Sequence, residues 1–172
     1  MVPLHVLPKG HLMIRYTWHQ DQNAFHRIGH EQQKQIRALL RQLSPGTCAS
    51  LDTKTLEERL QQTMEHSKLL VAHYADDAAR VRIVGMAVLV PAQKLTGLEG
   101  HVEDVVVHDA HRGMGIGRAL MEEVIREARA CGMQRIHLTS NPNNPARTAA
   151  RALYAKLGFD ERAGRFVLNC SE

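Results

Sequence analysis

A run of valines followed at once by glycines constrains this chain more than any other feature. Val105-Val106-Val107-His108-Asp109-Ala110-His111-Arg112-Gly113-Met114-Gly115-Ile116-Gly117-Arg118 sets a strand buried on both faces directly before a turn and a helix. The helix spans Gly115–Cys131, where Ile116, Leu120, Val124 and Ala128 recur every four residues as one apolar face requires. Gly132 ends it. Glycines allow positive φ and close backbone approach, so successive N–H groups can converge on one point. The helix start adds unbonded donors and about half a positive charge. Together these make an anion site suited to phosphate or pyrophosphate, to which Arg112 and Arg118 can add charge-assisted hydrogen bonds.

Three anion-binding templates compete for that turn. The dinucleotide fingerprint needs GxGxxG with an acidic residue about 20 positions on; here the glycines run GxGxG and Met133–Arg135 occupy that place. The triphosphate loop needs GxxxxGK[ST], and no such lysine follows. The pattern R-x-x-G-x-G remains, met by Arg112, Gly115 and Gly117. Taken alone, it also describes a tight strand-to-helix turn that holds no ligand.

Around this segment the chain alternates helical and strand patterns. His11–Thr17 is expected to be a first strand. Asp21–Leu43 carries a helical stripe of Phe25, Ile28, Ile36, Leu39, Leu40 and Leu43, stopped at Ser44-Pro45-Gly46. A second helix is expected at Thr53–His66, with Leu56, Leu60 and Met64 on one face and a capping box from Thr55 and Glu58. Strands follow at Lys68–Tyr74 and Val81–Val90 as a hairpin across ADDAAR, then a break at Pro91–Gly97 and a strand at Gly100–Val107. Arg135–Thr139 is a strand, Pro145–Leu157 a helix stopped by Gly158, and Phe159–Asn169 holds final strands. The fold class is α/β (α+β): a mixed central sheet flanked by helices. A single domain over 1–172 is expected, with 1–10 as a disordered extension.

Composition excludes several function classes. With 44% hydrophobic and 23% charged residues, the 172-residue chain is not of the disordered type. Its most apolar stretch, Val81–Pro91, includes Arg82 and is about half the ~20 residues a bilayer span needs. MVPLHVLPKG lacks the basic start and apolar core of a secretory signal. Cys48, Cys131 and Cys170 show no CxxC spacing, so neither a disulfide framework nor a structural zinc site is expected, and the cytoplasm is the expected compartment. The net charge of +4 comes from residues 1–98, with 12 basic and 8 acidic side chains. It forms no run, which favours a solvated surface over a nucleic-acid partner. His26 and His30 stand i, i+4, but HRIGH lacks the glutamate of HExxH, so no metal is expected.

A second segment, Arg151-Ala152-Leu153-Tyr154-Ala155-Lys156-Leu157-Gly158-Phe159, decides among the readings of the turn. The pair of motifs resembles the Gcn5-related N-acetyltransferase superfamily. Its acyl-CoA motif is (Q/R)xxGx(G/A), and its next helix typically ends in LYxxLGF. The resemblance covers Gly100–Phe159, an acyl-CoA-binding core, and implies a sheet in which two parallel strands splay apart around the cofactor.

The resemblance further implies acetyl-CoA or another acyl-CoA as co-substrate. Its pyrophosphate would lie on the amides of Arg112, Gly113, Met114, Gly115, Ile116, Gly117 and Arg118. The pantetheine arm would pair with Val105, Val106 and Val107, and an N–H near Val105 or Val106 would face the thioester carbonyl. Tyr154 matches the family tyrosine beside the CoA sulfur, the expected acid; an aromatic packed on the helix's buried face is the alternative. Glu103 and Asp104 match positions where an acidic residue deprotonates the amine; carboxylates solvating a strand end are the alternative. The stretch Gly100–Val107 looks especially like the glucosamine-phosphate and diamine branches. Where many members carry an asparagine seven residues before the tyrosine, this chain has Arg147, which could reach a CoA phosphate or face solvent. Ser140 and Asn144 are further candidate contacts. The acceptor is expected to be a small amine, with protein lysines or N-termini, or a non-catalytic acyl-CoA-binding module, as alternatives. Family members are often dimers, which makes a homodimer the expected assembly.

Overall fold

The computed structural model describes residues 4–6, 13–20, 28–75 and 80–160, which fall into two compact units, Met1–Thr139 and Ser140–Glu172. In the first unit six strands form one sheet in chain order. They are β1 (Leu4–Val6), β2 (Met13–His19), β3 (Lys68–Ala75), β4 (Val81–Lys94), β5 (Gly97–Val107) and β6 (Arg135–Leu138). Neighbours pair antiparallel except β5 and β6, which run parallel. Helices α1 (His30–Leu43), α2 (Pro45–Cys48) and α3 (Thr53–His66) lie between β2 and β3 in sequence, and α4 (Ile116–Ala130) links β5 to β6. A crossover helix is what a parallel pair requires. The mixed sheet with flanking helices is the fold class the sequence predicts.

Both sheet faces are covered, which explains why β4 reads as continuous apolar sequence. Every residue from Ile83 to Leu89 is buried. On one face Ile36 and Leu39 of α1 and Leu56, Leu60 and Met64 of α3 join Leu69, Val71, Met86, Val88 and Val106 in one core. Each such side chain contributes about 1.5–3 kcal/mol when fully buried. On the other face α4 comes close at Gly85, where a Cβ would stand 3.1 Å from Leu120 Cδ1.

Several boundaries differ from the sequence reading. Leu4–Val6, expected within an extension, is a strand paired with β2. Strand β4 runs on through Pro91, expected as a break, and pairs Pro91 with Gly100. Proline is tolerated there because β3 pairs with β4 only as far as Leu89, leaving Pro91 on a strand edge that needs no N–H. The cap of α3 is Asp52, whose carboxylate accepts the Thr55 N–H at 2.7 Å, rather than Thr55 itself. Pro45 begins a short helix after α1 instead of a loop. Residues 11–12, 21–27, 76–79 and 161–172, with the expected start of the first helix, most of the ADDAAR loop and nearly all of the final strands, lie outside the described residues.

The second unit holds a 3₁₀ turn, Pro145–Arg147, and α5 (Thr148–Lys156). Its LYxxLGF ending is a helix stop. Phe159 N–H bonds to Tyr154 C=O at 3.0 Å, and Gly158 N–H to Ala155 C=O at 3.1 Å. Gly158 has φ +87°. That pattern is the Schellman motif, which needs a left-handed residue and commonly a contact between the positions of Tyr154 and Phe159. Their rings meet edge to face at 6.1 Å between centroids.

Candidate active site

Strand β6 pairs with β5 only from Glu99↔Arg135 to Val102↔Leu138. Beyond Val102 the two parallel strands part, and Glu103–Val107 has no strand partner on that side among the described residues. The paired portion is pinned by a buried carboxylate. Glu99 binds Lys94, meets His137 Nε2 at 3.1 Å and lies 3.7 Å from Arg135 Nη1. The Lys94 ammonium, and then the His137 imidazole, hold that carboxyl below the usual range against the opposing effect of burial.

The separation coincides with an irregularity in β5. Val88 faces Glu103 and Met86 faces Val106, so β5 holds one more residue than β4 between those pairs. This is a β-bulge, which bends a strand and re-aims its side chains. Its centre is Asp104 at φ +50°, the sole positive-φ residue other than glycine among those described. Aspartate tolerates that region better than most residues. Desolvation pushes the Asp104 carboxyl up, although by surface area the residue is exposed. Glu103, beside it, is exposed.

Past Val107 the chain makes a 3₁₀ turn at Asp109–His111 and enters α4 through Gly113 and Gly115, both left-handed at φ +77° and +81°. The helix ladder begins only with Ala119 N–H to Gly115 C=O at 3.0 Å. The N–H groups from Gly113 to Arg118 bond to no backbone or side chain among the described residues. A Cβ at Gly113 would meet nothing within 4 Å, so the turn has a clear approach. Arg112 pairs with Asp109 at 2.7 Å and Arg118 with Glu122 at 2.7 Å. Both pairs are exposed, where such contacts are worth about 0–1 kcal/mol and yield readily to a stronger anion.

Two features escape pattern reading. Gln42 of α1 donates from Nε2 to the Val107 carbonyl and accepts at Oε1 from the Asp109 N–H, each at 2.9 Å. Glu99 gathers residues from two strands. No sequence signal marks either one, because each depends on which elements meet.

In the second unit, Asn144 uses its side chain as a cap, accepting the Ala146 N–H at 3.0 Å. Ser140 has a buried Oγ with no hydrogen-bond partner among the described residues. Arg147 opens α5 as its cap residue. Tyr154 is half-buried; burial pushes its phenol up, against the opposing influence of the Arg147 charge. Among the described residues no three His, Cys, Asp or Glu side chains converge as metal ligands, and no helix is long and apolar enough to cross a membrane.

The profile of the acetyltransferase (GNAT) family matches residues 34–159, a span that includes both the bulged strand and the Tyr154 helix. The chain belongs to the GNAT family. It is an acetyl-CoA-dependent N-acetyltransferase. It is 31% identical over 131 residues to glucosamine 6-phosphate N-acetyltransferase 1 of Oryza sativa, covering 72% of each chain. Its fold is shared with glucosamine-6-phosphate N-acetyltransferase from Arabidopsis thaliana, at TM-score 0.65 and 17% identity over 91% of this chain and 99% of the other. It is also shared with a predicted acetyltransferase from Clostridium acetobutylicum solved with acetyl-CoA, at TM-score 0.64 and 18% identity over 91% and 96% of the two chains. The residues present suit that co-substrate: a clear turn of unbonded amides for a diphosphate and, among the described residues, a strand edge without a strand partner for an amide-bearing arm.

Proposed function

We propose that this GNAT enzyme acetylates the primary amine of a small molecule, an amino sugar or similar amine, by direct attack with both substrates bound. On this reading the two units serve one acetyltransferase domain in a reducing cytoplasm. The observation that carries it is the run of unbonded N–H groups from Gly113 to Arg118 beside the open edge of β5. The rice relative's name supports a small amino-sugar acceptor.

The roles follow from the chemistry. An alkyl ammonium with pKa near 10 must lose a proton before it can attack. The bulge presents Asp104, with its carboxyl pushed up, and Glu103 next to it, as the groups to take that proton, directly or through water. Acetyl-CoA supplies the acetyl group as a thioester. The amides of Gly113–Arg118, with Arg112 and Arg118, hold its diphosphate. Val105–Val107 aligns its arm. His108 N–H donates to Val84 C=O at 2.8 Å, so alternation turns Val106 toward β4 as well, and the bulge re-aims the residue before it, Val105, toward the open edge. The Val105 N–H is then the donor for charge developing on the thioester oxygen, a term of a few kcal/mol when preorganised. Tyr154, whose phenol burial pushes up, donates to the departing thiolate. Arg147 and Ser140 are secondary cofactor contacts, and Asn144 contributes by shaping the turn before α5.

The test pairs binding with turnover. Acetyl-CoA at a hundredfold excess over Kd should stabilise the protein by about 2.7 kcal/mol. CoA release should appear with glucosamine 6-phosphate or another small amine in a panel that also includes peptides. No thermal shift would refute cofactor binding, and turnover confined to peptides would refute the acceptor class.

A further inference from the structure

We infer that Gln42 is a positioning residue for the cofactor turn, its carboxamide standing in for one residue of a missing parallel strand at the open edge of β5. The bond from His108 N–H to Val84 C=O at 2.8 Å directs His108 toward β4. Alternation then directs the Val107 carbonyl and the Asp109 N–H to the opposite side. Those are the two groups that a single residue of a parallel neighbour would engage. Strand β6 does not supply it, because its pairing ends at Val102↔Leu138.

Gln42 supplies it instead. A side-chain amide carries the same donor and acceptor as a peptide unit, and Gln42 uses both, at 2.9 Å to Val107 and 2.9 Å to Asp109. Arg112 Nε adds a longer bond to the same carbonyl at 3.3 Å. The residue clamped by Gln42 Oε1 is the first of the 3₁₀ turn, and the unbonded amides of Gly113–Arg118 follow directly from it. Helix α1 therefore sets the direction in which the chain leaves the sheet. Without the clamp the glycines keep their conformational freedom, but the turn is no longer held in one place. A ligand must then order the turn on binding, which lowers affinity.

This inference rests on the reading that the turn holds the CoA diphosphate, so the experiment separates the two. The full chain is compared with Gln42→Met, which fills the same space without the hydrogen bonds, and with Gln42→Ala, which leaves Val107 and Asp109 to water. Gln35→Leu is the control. Gln35 lies on the same helix and accepts the Ile83 N–H at 2.8 Å, at the start of β4. Calorimetry measures affinity for CoA and for pantetheine, which carries the thiol arm without the diphosphate. Gln42→Met should weaken CoA about tenfold, equivalent to ~1.4 kcal/mol, with pantetheine within twofold of wild type. Gln35→Leu should leave both affinities in place. If Gln42→Met fails to fold, Gln42→Ala carries the same comparison. Unchanged CoA affinity, or an equal loss with both probes, would overturn the positioning role. Wild-type protein that binds CoA no more tightly than pantetheine would overturn the diphosphate reading and this inference together.

Discussion

Replacing Gly113 by alanine separates backbone strain from ligand binding. Gly113 sits at φ +77°, and a Cβ built there meets nothing within 4 Å. The cost to the free protein is then conformational alone, about 1–2 kcal/mol for an L-residue in the left-handed region. Gly132 offers a matched control: its φ is +73°, and its Cβ would also meet nothing within 4 Å. It caps the far end of α4, where Met133 N–H bonds to Ala128 C=O at 2.9 Å. The two variants should therefore lose similar stability, a drop in Tm of about 2–8 °C for a chain of this size. They should differ in acetyl-CoA affinity. Gly132→Ala should bind as wild type does. Gly113→Ala should bind at least tenfold more weakly, because its methyl group and any relaxation of the turn fall among the amides assigned to the diphosphate. Thermal melts and calorimetry on the three proteins decide the matter. If Gly113→Ala loses stability in step with Gly132→Ala yet binds acetyl-CoA undiminished, the turn is not the anion site.

Further outcomes follow from the same geometry. Asp104→Asn keeps a residue that tolerates φ +50° and removes only the carboxylate. Turnover should fall at least tenfold with Tm nearly unchanged, and an undiminished rate would leave Glu103 as the base. Tyr154→Phe keeps the ring that meets Phe159, so it should slow turnover while sparing both Tm and cofactor affinity; an unaltered rate would remove the acid role. His73 is pushed down to about 4 by burial first, then by the nearby His19 and Arg15 charges. The unfolded chain binds that proton more readily, so stability is fully present above pH ~6.5 and is lost as pH falls toward 4, by roughly 2–3 kcal/mol after allowing for partial exposure. A His73→Gln variant should flatten that slope in urea melts at stepped pH, and a slope equal to wild type would assign the effect to another group.

Local physics made much of this protein readable from its residues. Leu56, Leu60 and Met64 mark the buried face of α3 because a 3.6-residue period leaves no other arrangement for them. Gly113 and Gly115 announce the turn because only glycine enters the left-handed region without cost. Gly158 and Phe159 announce the end of α5 because their roles in the Schellman motif depend on the neighbouring few residues alone. Pairing across the sheet decided the rest. Pro91 reads as a break until β3 is seen to stop at Leu89, which turns that stretch of β4 into an edge. The extra residue at Asp104 exists only relative to β4, where Ala87 alone stands opposite Asp104 and Val105. Gln42 is an unremarkable helix polar residue until α1 is laid against the end of β5. Contacts between residues distant along the chain leave no periodic trace, since they are set by which faces meet when the core closes. For that reason the turn was visible in the amino-acid order, while the parting of β5 and β6 and the clamp on the turn belong to the tertiary structure.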